Sequence, residues 1–147
     1  MKIVVYAIAK NESSFVDRWM DSMSEADQVV VLDTGSDDGT AERLRARGAQ
    51  VTVERIVPWR FDRARNRSLE LVPEDVDVCV CTDLDEVFRP GWRTALEQAW
   101  TPGTSQAQCL AHTLGVPFFA FSHQQGHLAA AAWSAGRLDL LEGPFLA

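Results

Sequence analysis

The stretch Val76-Asp77-Val78-Cys79-Val80-Cys81-Thr82-Asp83-Leu84-Asp85-Glu86 decides how this chain is read. Its first seven residues have the apolar character and length of a buried strand. Three carboxylates follow at once, and at a strand's end they repel one another unless something neutralises them. A divalent cation does this well, because hard cations prefer oxygen ligands, and a cation there can also hold a diphosphate. Ligands of open α/β sheets bind beyond the carboxyl ends of the strands. The spacing therefore predicts a metal-diphosphate site at this edge.

Working outward, Ile3 to Ile8 is a short apolar run and reads as a first buried strand. Phe15, Trp19 and Met23 then recur at steps of four, which predicts a helix with one apolar face. Val29 to Leu32 reads as a second strand. It runs into Asp33-Thr34-Gly35-Ser36-Asp37-Asp38-Gly39-Thr40, a segment rich in turn residues. A helix is expected from about Ala41 to Arg47, stopped at Gly48, and Val51 to Val53 reads as a third strand. Phe61, Ala64, Ser68, Leu69 and Val72 suit one helix face that ends at Pro73. Trp92, Leu96 and Trp100 predict a further helix. This β-α-β-α-β-α-β-α order implies an α/β fold with a largely parallel sheet and helices on both faces. The loops after Leu32 and after Thr82 then fall on one edge, where both can meet one ligand.

Composition narrows the class. The chain has 147 residues, 46% of them hydrophobic and 24% charged, enough for a real core in one domain. A net charge of −7 argues against general nucleic-acid binding and against an anionic membrane surface. No apolar run reaches the roughly 18 residues of a spanning helix, and Met1 to Ala9 reads as a strand rather than a signal peptide. Cys79, Cys81 and Cys109 are odd in number and lack metal-type spacing. They read as reduced core residues of a cytoplasmic protein.

Each motif has a plain alternative. The Asp33 to Thr40 loop suits a nucleoside, since a carboxylate at a strand's end can accept from a base N–H. Otherwise it is a solvated turn capping a helix. Asp83-Leu84-Asp85 suits a metal, or is an acidic turn. Arg60-Phe61-Asp62-Arg63-Ala64-Arg65-Asn66-Arg67-Ser68 is basic within an acidic protein. Its four arginines suit a diphosphate, arginine being favoured for planar, bidentate contacts. Alternatively they form a solvated face paired with nearby acids, with residues 60, 63 and 67 on one side and Arg65 pointing elsewhere.

Together these segments resemble glycosyltransferase family 2, with the GT-A nucleotide-diphospho-sugar binding fold. The resemblance runs through Ala7 to Glu12, Val31 to Thr40, Arg60-Phe61-Asp62, Ala64-Arg65-Asn66 and Thr82 to Glu86, and covers about Met1 to Pro102. It implies transfer of a sugar from a nucleotide donor, a UDP-sugar, to an acceptor that the sequence does not identify. It also implies Mn²⁺ or Mg²⁺ and inversion at the anomeric carbon with a carboxylate as general base. Carried over by residue, Asn11 and Glu12 lie beside the nucleoside and Asp33 recognises the base. Arg65 and Asn66 line the donor pocket. Asp83 positions the ribose, and Asp85 is the metal ligand that holds the diphosphate.

The chain departs from the family after the acidic run. Residues 1–105 form the expected nucleotide-sugar-binding part, and residues 106–147 an atypical apolar tail, so the GT-A domain is expected to lack part of its C-terminal half. From Cys109 to Ala147 the charged residues are Arg137, Asp139 and Glu142, and His112, His123 and His127 all lie there. A frameshift near Gln106 to Cys109 would produce such a change, making the tail a non-native continuation. The competing expectation is a genuine short variant whose tail covers the sheet edge. His123 and His127 lack a third ligand and read as incidental. Asp139 and Glu142 are nominated as base by scarcity alone, so no catalytic base is named. Oligomeric state is not legible. A second functional class is a nucleotide-binding remnant without transferase activity. A third is a hydrolase using Asp83 as nucleophile, which would need the pair after the first strand and a downstream lysine; none follows Lys10.

Overall fold

The expected strands form, in the expected order. The computed structural model describes residues 1–101, together with the backbone of two strands at 106–110 and 117–122. Elements follow as β1 (Ile3–Ala9), α1 (Val16–Ser22), β2 (Gln28–Asp33), α2 (Thr40–Ala46), β3 (Gln50–Val53), α3 (Phe61–Glu70), β4 (Val78–Cys81), α4 (Trp92–Ala99), β5 (Gln106–Leu110) and β6 (Pro117–Ser122). They build one sheet in the order β3-β2-β1-β4-β6-β5. The four strands β1 to β4 are parallel, whereas β6 runs antiparallel to both β4 and β5. The fold is thus the α/β class expected. Two strands join the sheet from the stretch read as a tail. His112, His123, His127, Arg137, Asp139 and Glu142 lie outside the described residues.

β1 is paired on both sides, and its side chains are buried on both faces. Ile3, Val5 and Ala7 point into a core with Trp19, Met23, Leu44, Trp92 and Leu96, from helices α1, α2 and α4 and the turn after α1. Val4 and Tyr6 point the other way, with Leu69 of α3, Val72, Val76 and Cys79. A strand covered on both faces has no polar side to present, which is why β1 reads as a continuous apolar run rather than an alternating one. Each Val, Leu or Ile fully buried this way contributes about 1.5–3 kcal/mol from removal of apolar surface from water. Cys79 and Cys81 lie two apart and share the α3 side, and burial pushes the Cys79 thiol up to about 12. That keeps it an inert apolar residue at neutral pH.

The order 3-2-1-4 reverses direction between β1 and β4. Ligands of open α/β sheets bind at such a reversal, beyond the carboxyl ends of the strands. The loop after β1 carries Asn11 and Glu12, and the loop after β4 carries Asp83 and Asp85.

Candidate functional site

Two loops at the carboxyl edge hold each other in place. Asn11 sits at φ +56°, in the left-handed region that asparagine tolerates better than most residues. In that pose its N–H donates to Ser36 Oγ at 2.8 Å, and its Oδ1 accepts from the Asp37 N–H at 2.9 Å. The Glu12 N–H donates to Thr40 Oγ1 at 2.9 Å, and the Ser13 N–H to Asp38 Oδ2 at 3.0 Å. Hydrogen bonds from Thr40 and Ser13 hold the Asp38 carboxyl well below the usual carboxylate range. The polar residues after β1 and β2 therefore act first on each other. Asn11, read from sequence as a ligand contact, spends its side-chain oxygen on this joint.

Asp33 ends β2 and is fully buried. Its Oδ1 accepts from the N–H groups of Gly35 (2.9 Å) and Ser36 (2.7 Å), which shapes the turn. Its Oδ2 is buried without a hydrogen-bond partner. A buried carboxylate oxygen left unpaired is costly, so the free oxygen marks a place where a donor group completes the structure.

The acidic run divides in two. Glu86 is buried and turns back on its own loop, with Oε2 accepting from Thr82 Oγ1 (2.9 Å) and the Asp83 N–H (3.0 Å). It clamps the turn, and the Thr-x-x-x-Glu spacing is the only sequence signal of that role. Asp83 and Asp85 remain partly open. Asp83 pairs with the Arg65 guanidinium, whose Nη1 also donates to Cys81 Sγ at 3.3 Å. Arg65 is itself buried and lies against the Phe61 ring, 5.1 Å from its centroid. The Asp85 carboxylate has no hydrogen bond or ion pair among the described residues, while its backbone oxygen accepts from Arg18 Nη2 at 3.3 Å. Arg18 is a contact that sequence reading missed.

Glu12 stands within electrostatic reach of this cluster. Burial pushes its carboxyl up to about 6, with Asp83 and Asp85 adding to the rise and Arg65 and a hydrogen bond from the Lys10 N–H opposing it. Glu12, Arg65, Asp83 and Asp85 are thus brought together. Asn66 follows Arg65 on α3 and is half-buried. Of the other three arginines of that segment, two pair with acids: Arg60 with Asp62, and Arg67 with Glu54 and Glu70.

Among the described residues no group of three His, Cys, Asp or Glu side chains is set to cage a metal ion. A cation completed by phosphate oxygens needs only one or two carboxylates from the protein. Asp85, with Asp83 beside it, fits that arrangement. No described helix is long and apolar enough to cross a membrane.

The chain matches Glycosyl transferase family 2 over residues 4–132. Among solved structures it is similar to the glucosyl-3-phosphoglycerate synthase of Mycobacterium tuberculosis in complex with Mn²⁺, UDP and glucosyl-3-phosphoglycerate. The two share 22% identity with a TM-score of 0.70, over 95% of this chain and 66% of that one. The same enzyme with Mg²⁺ and UDP gives 22% identity and a TM-score of 0.67 over the same shares. Mannosyl-3-phosphoglycerate synthase from Rubrobacter xylanophilus gives 21% and 0.59, over 73% of this chain and 39% of that one. The chain therefore spans just under two thirds of the length of the first of these and less of the last. At such identities the likeness is one of fold.

Proposed function

This chain belongs to glycosyl transferase family 2, and we propose that it transfers a sugar from a UDP-sugar to an acceptor with the help of a divalent cation. The observation that carries the reading is the pairing, on one sheet edge, of Asp33's unpartnered buried oxygen with the Glu12, Asp83 and Asp85 carboxylates set against buried Arg65. A base N–H satisfies the first, and a metal-bound diphosphate the second. The UDP and Mn²⁺ or Mg²⁺ found with the M. tuberculosis synthase support this choice of ligands.

In the proposed site, residues 1–105 bind the donor. Asp33 accepts from the base, and Asn11 and Glu12 border the nucleoside from a loop held rigid by Ser36 and Thr40. Arg65 and Asn66 line the pocket, and Arg65 holds Asp83 where the ribose hydroxyls donate to it. Asp85 would hold Mn²⁺ or Mg²⁺, which when bound supplies Lewis-acid stabilisation of the leaving diphosphate. In the inverting reaction, the acceptor oxygen bonds to the anomeric carbon from the face opposite the leaving diphosphate. The bond from that carbon to the β-phosphate oxygen breaks, its electron pair leaves with the diphosphate, and a carboxylate base takes the acceptor's proton.

Calorimetric titration of UDP with Mn²⁺, then with EDTA, tests the reading. Mn²⁺-dependent binding that Asp85→Ala weakens at least tenfold is the expected result. UDP binding unchanged by EDTA would refute the metal role of Asp85.

A further inference from the structure

Arg18 stands on the outer side of α1, opposite the buried Val16, Trp19 and Met20, and is exposed. An arginine there has no packing reason to keep one pose, yet this one is held twice. Its guanidinium carbon lies 4.7 Å from the centroid of the Phe15 ring, a cation–π distance. Its Nη2 donates to the backbone oxygen of Asp85 at 3.3 Å, which ties α1 to the loop after β4. Phe15 is a firm support, because it packs against the core and its N–H donates to the Glu12 backbone oxygen at 2.9 Å. The acceptor is not the one that charge alone would choose. A charged donor bonds a carboxylate more strongly than a neutral oxygen, and Arg43, Arg47, Arg60 and Arg67 all pair with carboxylates. Arg18 instead takes the carbonyl of an aspartate whose carboxylate has no partner among the described residues.

We propose that Arg18 is a positioning residue of the cation site: Phe15 holds its guanidinium on the Asp85 carbonyl, which fixes that residue's backbone and leaves its carboxylate to the metal. This rests on the cation-dependent donor reading above. Asp85 lies between two anchors, Leu84, fully buried in the core, and Glu86, clamped to Thr82 and the Asp83 N–H. Asp83 is held through its side chain by Arg65 of α3. Arg18 of α1 supplies the remaining hold, on the peptide that follows Asp85. The acidic run is therefore gripped by arginines from helices on opposite faces of the sheet. A carboxylate that ligates a metal needs its orientation set by its neighbours, and losing such a neighbour costs about 10- to 100-fold in metal affinity. An arginine free to swing onto the carboxylate would instead compete with the cation.

The test is calorimetry of UDP on the full chain, in Mn²⁺ and in EDTA, for wild type, Arg18→Ala, Asp85→Ala and the double variant. Arg18→Ala should weaken UDP binding in Mn²⁺ about tenfold and leave binding in EDTA unchanged. In the Asp85→Ala background the same substitution should add nothing, because Arg18 acts through that carboxylate. Arg18 is exposed, so Arg18→Ala is expected to unfold at the wild-type urea midpoint. A loss that persists in the Asp85→Ala background, or is equal in EDTA, would mean direct contact with the nucleotide and overturns the positioning role. Wild-type binding by Arg18→Ala beside impaired binding by Asp85→Ala overturns it too, and leaves the donor site standing. Mn²⁺ dependence that survives Asp85→Ala refutes the cation reading itself, and the positioning role with it.

Discussion

Replacing Asp83 with alanine should destabilise the chain more than replacing Arg65 with methionine, although Asp83 is the more exposed partner. The arginine side chain is 6% exposed and the aspartate side chain 50%. With Asp83 gone, the guanidinium stays buried between the Phe61 ring face and the Cys81 sulfur, a weak acceptor at 3.3 Å. Losing a charge-assisted bond and stranding a buried charge costs about 2–3 kcal/mol, below the 3–5 of a fully enclosed pair because water reaches the aspartate side. With Arg65→Met, an apolar side chain takes the buried position and the freed carboxylate is hydrated, so the cost is about 1 kcal/mol. Removing both should cost about 0.5 kcal/mol more than the methionine change alone, giving a coupling of about 1.5–2.5 kcal/mol. Urea unfolding followed by circular dichroism measures all four corners of the cycle, with a midpoint about 1 M lower for Asp83→Ala at a typical slope. Single costs that add to within about 0.5 kcal/mol, or a larger loss from the methionine, would refute the view of Arg65 as a buried charge that depends on Asp83.

Asp33→Asn retains an acceptor for Gly35 and Ser36 but puts an amide donor where the free oxygen stood. UDP binding should fall about 10- to 150-fold by calorimetry with stability little changed, and unaltered affinity would remove the base-reading role. Glu12 has its carboxyl raised to about 6 against an ordinary 4.5, so the folded state binds its proton more tightly than the unfolded state. That contribution is complete below about 4.5 and is lost as pH rises through 6. Glu12→Gln should therefore stabilise the ligand-free chain at pH 7 by about 1 kcal/mol, after allowance for solvent screening, and the gain should vanish at pH 4.5 in paired denaturation curves. Gly35→Ala forces a Cβ into a left-handed position against Arg55, and should cost about 1–2 kcal/mol in the same denaturation assay.

The parallel half of the sheet was legible because interior strands advertise themselves. Ile3 to Ile8 and Val29 to Leu32 are covered on both faces and read as unbroken apolar runs. Asp33, Asp83 and Asp85 were legible for the opposite reason, as charges placed directly after such runs. Less was visible where one residue type serves two purposes. Glu86 was counted with the site carboxylates, but its partners are Thr82 and a backbone N–H, and nothing in the run itself separates a clamp from a ligand. Helix phase in the sequence set Arg65 apart from Arg60 and Arg67, and the same phase buries it beside Ala64 and Leu69, but the acid partners of the other two were not visible. Gln106–Leu110 and Pro117–Ser122 pair antiparallel in the sheet, and the family match continues to residue 132. A β6 flanked by strands on both sides has little call for charged residues, so a drop in charge does not by itself separate a tail from a sheet interior.

The four hydrogen bonds that join the loop after β1 to the loop after β2 cross between segments some 25 residues apart in the chain. Each takes a backbone N–H from one loop and a side-chain oxygen from the other. Neither loop is therefore held by its own contacts alone. Grafting the Asp33 turn onto another scaffold would fail without Asn11 to Ser13, and the two must travel as a matched cassette. The same pairing limits natural recombination: a crossover between β1 and β2 would separate halves that are only correct together.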